Sequence, residues 1–289
     1  MNIVIIGGAQ RSGTTLVQTL VANALPNSPI LPEAHILYDL LRAWQHAKSE
    51  WPKTSKFYGS TQEAVRFFRS AIESHVGDVN ARYAGTEYVV LKEPNLITVL
   101  SEISEILPAA TKIVCVRDPR DIVASFIRIG ERQVRLRQET RYSRREVSFI
   151  CKKINASYLP LVHQDLPPDV ILIRYEDVVA NPVGALQRLA EKTGLPLNPA
   201  QLSAPIWLED EYRHQETWRT ELEGGLPTPE NVGGYRRVLS RAELAHVEKA
   251  CGPLIERLTY VRNTEDCTNL SLDDHVWGLL RRVRSKLRD

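Results

Sequence analysis

The sequence predicts an α/β fold, a three-layer sandwich with a central parallel sheet. Three observations carry this. Short β-branched apolar runs recur along the chain, each is followed by a stretch with helical apolar spacing, and the first run leads into a glycine-rich turn. Near-continuous apolar strands, without polar alternation, are what a parallel sheet covered on both faces requires. Strands alternating with amphipathic helices then build a layered domain.

In order, strands are expected at Ile3–Ile6, Tyr88–Leu91, Lys112–Val116 and Val170–Ile173. Helices are expected at Thr14–Leu25, Glu63–His75, Leu96–Leu107, Asp121–Ile129, Arg145–Leu159 and Pro182–Lys192. Gly194-Leu195-Pro196 stops the last of these, with glycine just past the end and proline soon after. Residues 204–229, rich in Pro, Gly, Trp and charge, read as a long loop able to cover a site. The domain is expected to span residues 1–262, and 263–289 to form a basic amphipathic C-terminal helical tail, docked or loosely attached. The sequence contains no internal repeat and no low-complexity tract.

Composition narrows the class. At 289 residues the chain suits one large α/β domain or two small ones. With 43% apolar and 25% charged residues it is neither disordered nor fibrous. A formal charge of +2 argues against a wholesale nucleic-acid binder. Cys115, Cys151, Cys251 and Cys267 form no C-x-x-C pair, against a zinc knuckle or disulfide framework, and Cys115 reads as a small buried hydrophobe. No run reaches the ~20 apolar residues that span a bilayer. The N-terminus has no basic region before its first strand, so no cleaved leader and a cytoplasmic protein with reduced thiols are expected.

The most informative segment is Ile3-Val-Ile-Ile-Gly-Gly-Ala-Gln-Arg-Ser-Gly-Thr-Thr-Leu16. A strand enters a glycine-rich turn that opens a helix, and backbone N–H groups there, with the helix dipole, make an anion site. Gly8 and Gly13 have the spacing of a Walker A loop, but position 14 is Thr where that motif needs Lys. The cation is Arg11, inside the loop. The blander reading is a tight strand-to-helix turn and nothing more. Against a P-loop kinase, strand Lys112–Val116 ends in Arg117 rather than in a magnesium-binding Asp.

Gln10-Arg11-Ser12-Gly13-Thr14-Thr15 resembles the 5′-phosphosulfate loop of sulfotransferases that use 3′-phosphoadenosine 5′-phosphosulfate (PAPS). Many members have Pro where this chain has Gln10. The resemblance implies a P-loop nucleotide-binding, sulfotransferase-like fold, PAPS as co-substrate, and Arg11, Ser12, Gly13, Thr14 and Thr15 as its ligands. Arg117-Asp-Pro-Arg-Asp-Ile-Val-Ala-Ser125 resembles the family's 3′-phosphate motif, which implies bidentate pairing by Arg117 and a hydroxyl from Ser125. Alone, the same stretch reads as a salt-bridged helix start, with Asp118 as N-cap and Pro119 at N1. Tyr175, in Arg174-Tyr-Glu-Asp177, and Tyr235 and Arg236, in Asn231-Val-Gly-Gly-Tyr-Arg236, resemble the later nucleotide-side segments more weakly.

Between the two main motifs, Lys92-Glu93-Pro94 ends a strand at the sheet edge where α/β ligands bind. The steroid and phenol sulfotransferases carry a basic His where this chain has Pro94. The tyrosylprotein branch is more similar, with Lys-Asp-Pro here and a catalytic Glu about twenty residues after the loop Arg. Glu33, 22 residues beyond Arg11, matches that position and is the expected general base, with His35 its rival. A phenol of pKa ~10 needs such a base. Arg11 and Lys92 would neutralise the transferring oxygens and the leaving phosphate, with no metal required.

The favoured acceptor is a tyrosyl or other phenolic hydroxyl, on a peptide or a small molecule. The alternatives are a carbohydrate, lipid or secondary-metabolite hydroxyl, a P-loop kinase, and a catalytically inactive nucleotide-binding module. Arg128, Arg132, Arg135, Arg137, Arg141, Arg144 and Arg145 read as a solvated face, or else as a wall steering an acidic acceptor. Residues 34–61 and 204–229 are expected as variable loops around the acceptor. No nucleic-acid partner or transmembrane segment is expected, and a homodimer is left open.

Overall fold

The apolar runs form four strands: β1 (Asn2–Gly8), β2 (Tyr88–Lys92), β3 (Thr111–Val116) and β4 (Val170–Arg174). They are parallel, in the order β2-β1-β3-β4. The computed structural model describes residues 1–83, 85–163, 166–202, 218 and 226–261. The expected C-terminal tail, and the expected covering loop apart from Trp218 and residues 226–229, lie outside them.

Side chains alternate between two cores because both faces of the sheet are covered. Val4, Ile6, Val90, Ile113 and Cys115 belong to one core, and Ile5, Val89, Leu91, Val114 and Val116 to the other. The first core is closed by α1 (Thr14–Ala24), α9 (Tyr175–Ala180) and α10 (Pro182–Thr193). The second is closed by α2 (His35–Ser49), α4 (Thr61–Arg82), α5 (Leu100–Ile106), α6 (Pro119–Arg135), α7 (Val147–Ser157), α12 (Arg241–Ala250) and α13 (Gly252–Arg257). The helices α3 (Trp51–Tyr58), α8 (Leu159–Val162) and α11 (Tyr235–Val238) complete the order. Edge strand β4 departs from full coverage, with Leu172 43% exposed. Cys115, Cys151 and Cys251 are buried free thiols.

Three expectations are corrected. Residues 34–61 are not a variable loop but hold α2 and α3. Leu37, Leu41 and Trp44, at helical spacing, are fully buried, and Trp44 Nε1 donates to Glu105 at 2.9 Å. The expected helix Leu96–Leu107 begins as a 3₁₀ turn over Pro94–Val99, which Glu93 caps by accepting from Asn95 N. The helix expected from Arg145 begins at Val147, because Arg145 is left-handed at φ 54°, and it stops at Ser157 before a short turn holding Pro160.

Two buried networks tie distant elements to the start of α6. The Asp121 carboxylate accepts from Gly233 N (2.8 Å) and Tyr235 N (2.9 Å). The Arg120 guanidinium pairs with Asp118 and with Glu248 of α12, both at 2.7 Å, and donates to Val261 O.

Candidate active site

Strand order places the sequence motifs together. β1 lies between β2 and β3, so its carboxyl end is the topological switch point where α/β folds bind ligands. The register sets Ile6 beside Lys92, Gly8 beside Cys115, and Val116 beside Arg174. The phosphate loop, Lys92, Arg117 and Tyr175 therefore share one edge.

The loop is shaped by close approach. A Cβ on Gly8 would meet Cys115 O at 2.6 Å, and one on Gly13 would meet Tyr175 Cδ2 at 2.5 Å. Gly13, at φ 93°, precedes α1 with no side-chain cap, which leaves the first helical amides directed into the turn. Arg11 is left-handed at φ 71°, a conformation costing roughly 1–2 kcal/mol for a side-chain-bearing residue. Ser12 and Thr14 are buried and Thr15 is half-buried.

Arg11 Nε donates to Ser125 Oγ at 3.2 Å and Nη1 to Trp218 O at 3.0 Å. This brings the loop cation to Ser125 of α6, which the family resemblance gave to the 3′-phosphate. Arg117 donates from Nη1 to Arg11 O (3.1 Å) and from Nη2 to Asn231 O (2.9 Å). Both terminal nitrogens thus hold carbonyls, while Nε is buried with no partner among the described residues. The Arg117 guanidinium lies 4.2 Å from the Tyr175 ring centre, and burial pushes the Tyr175 phenol pKa up. Arg128 reaches Asn231 Oδ1 at 2.7 Å, so it belongs to the site rim rather than to the outer arginine face. Tyr235 is 1% exposed, with the Arg120 and Arg236 guanidinium groups 4.6 and 4.8 Å from its ring centre.

On the β2 side, Glu33 pairs with Lys92 as an isolated parallel bridge, and Ala34 N donates to Lys92 O at 2.9 Å. Lys92, buried, reaches Glu33 Oε1 at 2.5 Å. His35 opens α2 beside them, with Nε2 3.5 Å from Glu33 Oε2 and Nδ1 3.0 Å from Glu93 Oε2. Glu93 is buried, and burial is the main cause raising its carboxyl pKa.

The arginine-rich stretch is largely exposed, and two of its arginines pair with glutamates. Arg141 holds Glu146 at 3.0 Å and lies over Phe149, and Arg145 holds Glu131 and Glu243 at 3.2 and 2.7 Å. Arg135, Arg137 and Arg144 are exposed. Sequence reasoning missed Asp121 as the latch of the late loop and Lys153, which reaches Gln10 Oε1 at 3.3 Å and Tyr142 OH at 2.5 Å. Neither has a local signal, because the partners lie far apart in sequence.

A glycine-rich loop at the switch point of a parallel sheet, with arginines from two further segments and a lysine–carboxylate pair, makes the candidate site, and the loop lacks the Walker lysine. The chain belongs to the sulfotransferase family: the model described as "Sulfotransferase family" matches residues 3–199. A Caenorhabditis briggsae protein provisionally named a protein-tyrosine sulfotransferase is 26% identical over 191 residues, 65% of this chain. The chain spans 63% of that relative's length. Among solved structures, the sulfotransferase domain of the Synechococcus PCC 7002 olefin synthase matches with a TM-score of 0.55 at 19% identity, covering 90% of this chain and 95% of that one. The sulfotransferase domain from the curacin biosynthetic pathway matches with a TM-score of 0.52 at 19% identity, covering 90% and 98%. Both share the fold. No helix among the described residues is long and apolar enough to cross a membrane.

Proposed function

We propose that this chain transfers a sulfuryl group from PAPS to an acceptor hydroxyl, with a tyrosyl or other phenolic hydroxyl favoured. The observation that carries the reading is the contact of Lys92 with Glu33 at the switch point, beside a phosphate loop whose cation is Arg11. The residues suit a doubly phosphorylated nucleotide: the uncapped start of α1 and Arg11 for its 5′ end, Arg117 with its buried, unpartnered Nε and Ser125 for its 3′-phosphate. Bound there, PAPS supplies the sulfuryl group and the leaving phosphate. Tyr175 stacks on Arg117 and seals Gly13, holding both ends of the nucleotide site in one geometry.

Glu33 takes the acceptor proton, Lys92 and Arg11 balance charge developing on the transferring and leaving oxygens, and no protein nucleophile is needed. The tyrosyl preference rests on the worm relative's name and on Glu33 and Lys92-Glu93-Pro94 matching the tyrosylprotein pattern. Calorimetry with adenosine 3′,5′-bisphosphate and with ATP–magnesium tests the donor. The bisphosphate is expected to bind and ATP–magnesium not to bind, and the reverse result overturns the reading. A labelled-PAPS screen over tyrosyl peptides, simple phenols and sugars tests the acceptor, and labelling of sugars alone removes the phenolic preference. Glu33→Gln should lower kcat by about 10²–10⁴ with the bisphosphate still bound, as expected on losing a general base. Lys92→Met should cost roughly 10²–10³.

A further inference from the structure

Behind Glu33 lies a second carboxylate that this chemistry does not use. Glu93 leaves β2 one residue after Lys92, and its side chain is only 2% exposed. One oxygen, Oε1, accepts from Asn95 N at 3.1 Å and from Asn95 Nδ2 at 2.7 Å. The other, Oε2, is buried without a hydrogen-bond partner among the described residues, and His35 Nδ1 lies 3.0 Å from it, off the line of a hydrogen bond. An ionised carboxylate this deeply buried is costly unless donors face both oxygens. Asn95 serves one oxygen, and a small turn of the His35 ring would bring Nδ1–H onto the other.

The imidazole is itself positioned by backbone. His35 is the first residue of α2, and the peptide before it is pinned to β2 through Ala34 N and Lys92 O. With one nitrogen facing Glu93, the other is 3.5 Å from Glu33 Oε2, while Lys92 holds Oε1. That gap exceeds a hydrogen bond and leaves room for a nitrogen lone pair opposite the carboxylate oxygen. A proton arriving on Oε2 would supply the missing hydrogen.

We propose that Glu93 fixes His35 with Nδ1–H inward and the Nε2 lone pair toward Glu33, so that His35 clears the proton Glu33 receives. The proposal rests on Glu33 as the base. The acceptor O–H breaks as its oxygen forms the bond to sulfur, and the proton becomes an O–H on Glu33 Oε2. It then passes to His35 Nε2, giving an imidazolium that the Glu93 carboxylate stabilises. The ring, whose side chain is 67% exposed, releases the proton to water and Glu33 returns as a carboxylate. No other reactant enters. His35 carries the proton, and Glu93 is a positioning residue acting through it.

Two measurements on the full chain test this. In ¹H–¹⁵N correlation spectra of the imidazole nitrogens, neutral His35 is expected as the Nδ1–H tautomer. An Nε2–H tautomer overturns the proposal whatever the acceptor. Turnover with labelled PAPS is then compared for two phenols, one un-ionised at the assay pH and one already ionised. His35→Gln and Glu93→Gln are expected to lower kcat about tenfold for the un-ionised phenol, part of what general-base assistance supplies, and to leave the ionised one unchanged. Equal losses on both phenols, or none, overturn it. Should Glu93→Gln fail to fold, the exposed His35→Gln carries the comparison. Glu33→Gln measured alongside separates the two readings. If it shows no selectivity, the base assignment fails. If it alone is selective, only the His35–Glu93 proposal fails.

Discussion

A methyl group added at Gly13 would lie 2.5 Å from the Tyr175 ring, at a backbone φ of 93° that side chains rarely adopt. Gly77, inside α4, has nothing within 4 Å of the same added atom and an ordinary helical backbone. The two glycines therefore predict opposite outcomes. Gly13→Ala should weaken adenosine 3′,5′-bisphosphate binding about tenfold or more, since the backbone cost alone is roughly 1–2 kcal/mol and Tyr175 must also move off Arg117. Gly77→Ala should raise the unfolding free energy by about 0.5–1 kcal/mol and leave binding unchanged. Calorimetric titration and denaturant unfolding of both variants check this. Weakened binding in Gly77→Ala and not in Gly13→Ala would contradict the packing argument. The glycine spacing of the loop was legible in sequence, but the ring that rests on Gly13 was not.

The start of α6 is where local and distant chemistry meet. Asp118 and Pro119 were readable as N-cap and first turn, and Asp118 Oδ1 does accept from Arg120 N at 2.9 Å. What the spacing did not disclose is that Asp121, three residues on, holds the backbone of a loop 112 residues away. Asp121→Asn keeps the shape but replaces one acceptor oxygen by a donor facing a backbone N–H. Stability should fall by about 1–3 kcal/mol, the cost of an unsatisfied buried polar group. Bisphosphate affinity should fall with it, because Asn231, which meets both Arg117 and Arg128, loses its anchor. Unfolding and calorimetry on this variant check the claim, and unchanged affinity would detach the late loop from the nucleotide site. At the same scale, α2 was missed although Leu37, Leu41 and Trp44 have helical spacing, because no capping side chain marks its start.

Across the whole molecule, Arg145 joins Glu131 at the end of α6 to Glu243 at the start of α12. Its guanidinium holds the Glu243 carboxyl down to about 2. A carboxyl depressed in the folded state stabilises above its unfolded value and loses that contribution as pH falls through the folded one. The pair is partly exposed, so solvent screening limits it to less than about 1 kcal/mol. The excess thermal stability of the parent over Glu243→Gln should therefore be present at neutral pH and shrink between about pH 4 and pH 2. A difference that grows on acidification would refute the pairing as its source. Burial instead raises the carboxyl pKa values of Asp121 and Glu176, so their ionisation opposes folding at neutral pH.

The strands and the glycine-rich turn before α1 were determined by the sequence alone, because apolar runs, glycine turns and caps act over a few residues. Glu33 and Lys92, 59 residues apart, could be picked out singly, but only the parallel bridge between their backbones decided that their side chains meet. The tertiary structure likewise decided that buried Glu93 faces His35, that Tyr175 covers Gly13, and that Arg141 and Arg145 of the arginine run spend their charge on glutamates. Each of these depends on which strand edges and helix ends pack together, a property of the assembled sheet that no local pattern encodes.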